Sequence, residues 1–180
     1  MSLDVTTSIP QLLDHGRDHA LLRQVFALFP SGVAAVSADV DGEAVVLVAT
    51  SFQVGISLDP PLVLLAVQHT STSWPRLRDR PRLGVSVLGA AHDQAAIQLA
   101  STTARGERFT GLETTTTASG AHLIAGAAAW LECSVHSQTR AGDHDLILLR
   151  VHALAGAPGT EPLVWHGAGF RTLTPRPAAP

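Results

Sequence analysis

The chain predicts a mainly β fold with short helices, closed or partly closed into a barrel. Three observations carry that expectation. From Val33 onward the apolar residues fall in short runs bounded by Gly, Pro and Asp turn signals. Helical spacing is confined to a few brief segments, and neither an internal repeat nor strand–helix–strand alternation organises the whole. At 180 residues the chain can bury one self-sufficient core. It divides into an arm over 1–17, a domain over 18–173 and a Pro-rich tail over 174–180.

Asp18 is placed to cap a helix in which Leu21, Leu22, Val25, Phe26 and Phe29 share one face, and Pro30 and Gly32 end it. Val33 to Val40, Asp41-Gly42 and Glu43 to Val48 read as strand, hairpin turn and strand. Gln53 to Leu58 continues extended. Asp59-Pro60-Pro61 then forces a sharp connection, because each proline fixes its own φ and restricts the residue before it. Leu62 to Val67 is a near-continuous apolar run, as in a strand buried on both faces.

Ser71 or Ser73 is placed to cap a short helix from Trp74 to Arg80, with Pro75 in its first turn. Leu83 to Leu88 is a further strand. His92 to Ser101 reads as a helix packed through Ala95, Ala96, Leu99 and Ala100, and Gly106 ends that region. Thr114 to Thr117 is β-branched and extended. Ala127 to Arg140 and His144 to Leu154 form two long strands around Ala141-Gly142-Asp143, with Leu146 to Leu149 a block buried on both sides. After the Gly/Pro loop at 155–161, Leu163 to His166 and Phe170 to Leu173 are short strands.

Composition narrows the function. A 46% apolar and 15% charged sequence is too hydrophobic for disorder and asks for more burial than one monomer offers, which points to an intimate homodimer. A net charge of −3, with Arg clustered only at Arg76, Arg78, Arg80 and Arg82, gives no basic field for nucleic acid or a membrane surface. No apolar run reaches the roughly eighteen residues of a membrane span, and residues 1–18 lack the pattern of a signal peptide. With a lone Cys133 unable to form an intrachain disulfide, the expected compartment is the cytoplasm. Lys, Tyr and Asn are absent, which removes Schiff-base chemistry, a P-loop lysine and tyrosine acid catalysis. Any phosphate is left to Arg, hydroxyls and backbone N–H groups.

The usual motifs are missing. Gly167-Ala168-Gly169 lacks the third glycine of a dinucleotide turn, and no Gly-x-Ser-x-Gly elbow occurs. His15 and His19 are four apart but have no third ligand nearby, so no metal site is expected. What remains is hydroxyls on turns. Ala49-Thr50-Ser51 and Ser71-Thr72-Ser73 read either as ordinary capped turns or as the edge of a planar polar ring and a phosphate seat at a helix start. Cys133 reads as a buried small hydrophobe, Trp130 and Trp165 as core or dimer-interface residues, and His144 on its own as a structural or solvated histidine.

Nine segments in register change the balance: Phe29-Pro30-Ser31-Gly32-Val33, Ala49-Thr50-Ser51-Phe52, Ser57-Leu58-Asp59-Pro60-Pro61-Leu62-Val63, Ser71-Thr72-Ser73-Trp74-Pro75-Arg76, Val85-Ser86-Val87-Leu88, Gln98-Leu99-Ala100, Glu107-Arg108-Phe109-Thr110-Gly111, Leu131-Glu132-Cys133 and Gly142-Asp143-His144. Together they resemble the flavin reductase family, the FMN-binding split-barrel reductases that act as small components of two-component monooxygenases. The likeness runs from about Val25 to Leu173.

That resemblance implies a homodimeric split β-barrel that binds FMN or FAD, takes hydride from NADH or NADPH and supplies reduced flavin to a partner monooxygenase. It implies that Val48, Ala49, Thr50, Ser51 and Phe52 border the isoalloxazine, that Ser71 and Ser73 hold the phosphate side with Trp74 packed beneath, and that Ser86, Val87 and Leu88 add backbone contacts. Arg108 and Phe109 fall in the family's Asp-Arg-Phe motif, here Glu-Arg-Phe, near the flavin's phosphate or tail. His144, in Gly-Asp-His, matches the histidine beside the nicotinamide and is the candidate catalytic residue. Two positions depart from the pattern: Val46-Leu47-Val48 stands where many members carry Gly, and Ser86 where Asn is common. Two other readings stay open: a split-barrel flavoprotein that retains its flavin for a biosynthetic redox step, and a noncatalytic flavin-binding protein.

Overall fold

The computed structural model describes residues 9–103 and 105–174; residues 1–8 of the arm and 175–180 of the tail lie outside them. Helix α1, His19–Phe26, begins where the Asp18 carboxylate accepts from the N–H groups of Ala20 (2.9 Å) and Leu21 (3.0 Å), the expected cap. Among the described residues its apolar face is covered only in part, at the half-buried Leu21 and Leu22. No residue of α1 is buried, and Phe26 and the following Phe29 are 69% and 73% exposed.

Strand β1, Ser31–Gly32, leads into the hairpin β2, Ala34–Val40, and β3, Glu43–Ala49. Asp41 and Gly42 turn it with φ of 57° and 86°, the left-handed pair that a two-residue hairpin requires. β4, Gln53–Leu58, and β5, Pro61–Gln68, pair across the Asp59-Pro60 corner. β6 is Leu83–Val87, and the long hairpin of β9, Ala129–Ala141, and β10, His144–Gly156, closes at Gly142. These strands form one antiparallel seven-stranded sheet in the order β3-β2-β6-β9-β10-β5-β4.

The sheet curls around a core that draws Val36, Leu65, Leu83, Val85, Cys133, Ile147 and Leu149 from five of its strands. The two apolar blocks expected to be buried on both sides alternate instead. In β5, Val63, Leu65 and Val67 are buried while Leu62, Leu64 and Ala66 are half-covered; in β10, Ile147 and Leu149 are buried while Leu146 is exposed. β5 and β10 contribute to the main core alone and take no part in a core on the sheet's other side, so period-two alternation wins over the apolar composition of the run.

A second core lies on the outer side of β2 and β3, where Ala35 and Val46 meet Leu88, Ile124, Leu163 and the Ala96 and Leu99 face of helix α3, Asp93–Ala100. Ala100 itself is exposed. Helix α2 spans only Trp74–Leu77, because Pro81 disfavours helical geometry at Arg80 and the last turn opens. The short strands expected at Thr114 to Thr117, Leu163 to His166 and Phe170 to Leu173 form, whereas the strand at His122–Ile124 and the partners these strands take had no counterpart in the sequence. β8, His122–Ile124, pairs with β7, Thr114–Thr116, and crosses β6 at Gly84; β11, Val164–His166, bridges β1 and β12, Gly169–Arg171. No helix among the described residues is long and apolar enough to cross a membrane.

Candidate functional site

A cleft of about 570 Å³ opens between the end of β3 with its following turn, residues 46–51, and the end of β5 with the loop to α2, residues 66–73. Leu99, Ala100 and Thr102 at the end of α3 close one side, and Arg108 and His144 stand at its border. The volume is that of a small-molecule site, about 300–1,000 Å³. Hairpin pairing explains why these segments meet: β10 places His144 opposite Gln68 at the end of β5, and the Ser51 hydroxyl donates to the Ala66 carbonyl at 2.7 Å, tying the first hydroxyl turn to β5.

The second hydroxyl turn is held from two sides. The Ser71 hydroxyl accepts the Trp74 N–H at 3.2 Å, and Arg108 Nη1 donates both to the Ser73 hydroxyl (3.2 Å) and to the Val46 carbonyl (3.1 Å). One guanidinium therefore joins β3 to the α2 loop across the cleft. Ser73 precedes α2 but makes no side-chain cap bond, so its hydroxyl is directed to Arg108 and not to the helix. At the other border His144 Nδ1 lies 2.7 Å from the Asp143 carboxylate, and that hydrogen bond holds the Asp143 carboxyl below the usual carboxylate range.

Among the described residues the lining carries no carboxylate; its charged or titratable members there are Arg108 and His144. The walls are small or apolar at Val46, Val48, Ala49 and Ala66, with the hydroxyls of Thr50, Ser51, Ser71 and Ser73 along them. A flat heterocycle with a phosphate fits that donor set: apolar walls for the ring faces, hydroxyls for its polar edge, and a cation at the anionic end.

Of the sequence-predicted residues the cleft brings together Val48, Ala49, Thr50, Ser51, Ser71, Ser73, Arg108 and His144. The others lie off it. Phe52 lines a neighbouring groove; Trp74 is buried in the main core, with its indole N–H 3.4 Å from Gln138 Oε1. The buried Ser86 hydroxyl accepts the Ile124 N–H at 3.0 Å, Val87 accepts from Ala128 through its carbonyl, and Leu88 belongs to the second core. Phe109 packs against that core and meets His122 edge-on at 4.8 Å. Gln68, Thr70 and Thr102 line the cleft without having been singled out, since a polar residue at a strand or helix end carries no signal of its own. The arginine series is accounted for by carboxylates: Arg76 with Glu43 (2.7 Å), Arg78 with Asp79, Arg80 with Asp41 and Arg82 with Glu132.

The family described as flavin reductase like domain matches residues 26–174. The chain is 36% identical over 173 residues to an NADH-dependent FAD reductase of Streptomyces globisporus, covering 92% of each. Among solved structures it superposes with a TM-score of 0.84 at 36% identity on the NADH:FAD oxidoreductase of that organism in complex with NAD and FAD fragments, covering 92% of this chain and 98% of the other. A styrene monooxygenase flavin reductase from Pseudomonas putida gives a TM-score of 0.74 at 30% identity, covering 87% and 99%.

Proposed function

The chain belongs to the flavin reductase-like domain family, and from that premise we propose that it is an NAD(P)H:flavin oxidoreductase. In this reading it passes hydride from NADH or NADPH to FMN or FAD and supplies reduced flavin to a partner monooxygenase in the cytoplasm. The observation that carries the reading is the cleft that gathers both hydroxyl turns, Arg108 and His144, with no carboxylate among its described lining residues.

The flavin supplies the hydride-accepting ring; the protein's work is binding, orientation and exclusion of water. Val48 to Ser51 border the ring, with small side chains that allow close approach and backbone and hydroxyl groups that meet its polar edge. Ser71, Ser73 and Arg108 take the phosphate end. Arg108 already spans from the Val46 carbonyl to Ser73, so its charge is fixed in place before any anion arrives. His144 orients the nicotinamide from the cleft's border, and its bond to Asp143 holds the ring direction.

We take residues 18–173 as one split-barrel domain that works as a homodimer. The exposed apolar residues of α1 and β4 support that reading, as does an adjoining groove of about 740 Å³ that shares Thr50 and Ser51 with the cleft. The test is anaerobic mixing of the purified protein with NADH or NADPH and an excess of FMN or FAD, following the flavin's visible absorbance. Bleaching of many equivalents supports an exchangeable flavin. Bleaching of one tightly held equivalent favours the retained-flavin reading, and a bound flavin that neither nucleotide reduces overturns the enzyme.

A further inference from the structure

Gln98 lies in α3 and belongs to no part of the machinery described above. Its side-chain amide faces the segment after the helix, where Nε2 donates to the carbonyls of Glu107 (3.3 Å), Arg108 (3.0 Å) and Thr110 (2.9 Å). Carbonyl oxygens only accept, so the atom that meets three of them must be the NH₂ group, which fixes the orientation of the amide. Two N–H groups shared among three acceptors make a clamp on one short stretch of backbone. On its other side that stretch is anchored by Phe109, packed on the second core and against the His122 ring. Arg108 stands between the two anchors, and its guanidinium reaches the cleft, the Val46 carbonyl and Ser73.

We infer that Gln98 is a positioning residue for anion recognition: by clamping the 107–110 backbone it aims the Arg108 guanidinium at the phosphate of the bound flavin. The argument rests on the flavin reading above. A long side chain such as Arg is useful as a fixed charge only if its backbone is fixed, because rotamer freedom otherwise has to be lost on binding. Phe109 alone pins one point of the loop, and a single point leaves rotation about it. The Gln98 amide adds contacts before and after Phe109 and removes that freedom.

The prediction is selective. Gln98→Leu keeps the size and removes the donors, so it should raise the Kd for FMN about tenfold, the equivalent of roughly 1.4 kcal/mol. The Kd for riboflavin, which has the ring but no phosphate, should move less than twofold. Both are read from quenching of flavin fluorescence, with no turnover required. Arg108→Ala should produce a similar FMN-specific loss, and the double variant should bind FMN no more weakly than Arg108→Ala alone, because both changes act on one interaction. Equal weakening for FMN and riboflavin, or additive losses in the double variant, overturns the inference in favour of a structural role. Gln98→Met serves as a second isosteric variant, and failure of both to fold overturns it likewise. A wild-type protein that binds FMN but is not reduced by NAD(P)H defeats the enzymatic reading and leaves the Gln98 test intact.

Discussion

At the residue scale, chemistry in this cleft depends on groups that other residues hold still. His144→Ala removes one border side chain that is hydrogen-bonded to the exposed Asp143, so the fold should be unaffected. The apparent KM for the nicotinamide nucleotide should rise about fivefold to tenfold, the size of one lost hydrogen bond, with the flavin Kd unchanged; steady-state kinetics showing the same KM would remove His144 from that role. Cys133 offers a pH test. Burial first, and the neighbouring Glu132 second, push its thiol up to about 12 from 9.0, so the native state keeps a proton that the unfolded state loses. Above pH 9 the folded form binds more protons than the unfolded one, and stability falls with rising pH up to about 12, by at most about 1.4 kcal/mol per pH unit. Urea midpoints at pH 8.5 and 10.5 should show that loss in the wild type and a smaller one in Cys133→Ala. The hydroxyl turns and His144 stood out through the ordered family resemblance, since on their own they read equally as capped turns and a solvated histidine, and the cleft brings them to one place. Gln98 was visible only as one member of a series: its partners are carbonyls up to twelve residues away, and backbone acceptors leave no mark in composition.

At the element scale, the hairpins were legible and the crossings were not. Asp41-Gly42, Pro60-Pro61 and Gly142 mark their turns by backbone demands that few residues meet, so β2 to β5 and the β9–β10 pair fell close to their observed limits. β8 is three residues long and is held by β7 and by its passage over β6, and such nonlocal support has no local pattern. Gly84 is the place where the sequence did record that crossing. A methyl group there would lie well inside contact of the His122 carbonyl oxygen and 2.8 Å from its carbon, with both strands buried. The Ser37 hydroxyl donates to that same carbonyl at 2.7 Å, so the backbone of β8 cannot retreat without giving up a buried hydrogen bond. Gly84→Ala should therefore destabilise the protein by about 1–3 kcal/mol. A denaturant midpoint equal to wild type would mean that β8 does not lie across β6 in solution.

At the scale of the whole molecule, the question is what covers the apolar surface that one chain leaves open. Val25, Phe26, Leu28 and Phe29 of the α1 region and Val54, Ile56 and Leu58 of β4 are all exposed. The helix was read correctly as amphipathic, but a sequence does not say whether its apolar face meets the same chain or another. Apolar area of this extent is costly to leave in water, and its burial favours association by roughly 25 cal/mol per Å² before the entropy of pairing is subtracted. The groove lined by Phe26, Phe29, Phe52 and Trp165 runs into the cleft at Thr50 and Ser51, so the proposed dimer contact and the flavin site share a wall. Phe26→Glu together with Phe29→Glu should convert a dimer into monomers, read by sedimentation velocity across a range of concentrations. Because Phe26 and Phe29 are exposed and belong to neither core, the strands of the monomer should stay folded by circular dichroism. Flavin affinity should nevertheless fall, since the Thr50–Ser51 wall loses the surface that backs it. A wild type that sediments as a monomer, or a double variant that remains dimeric, would show that these faces serve some other contact, and a monomeric variant with full flavin affinity would separate the interface from the site.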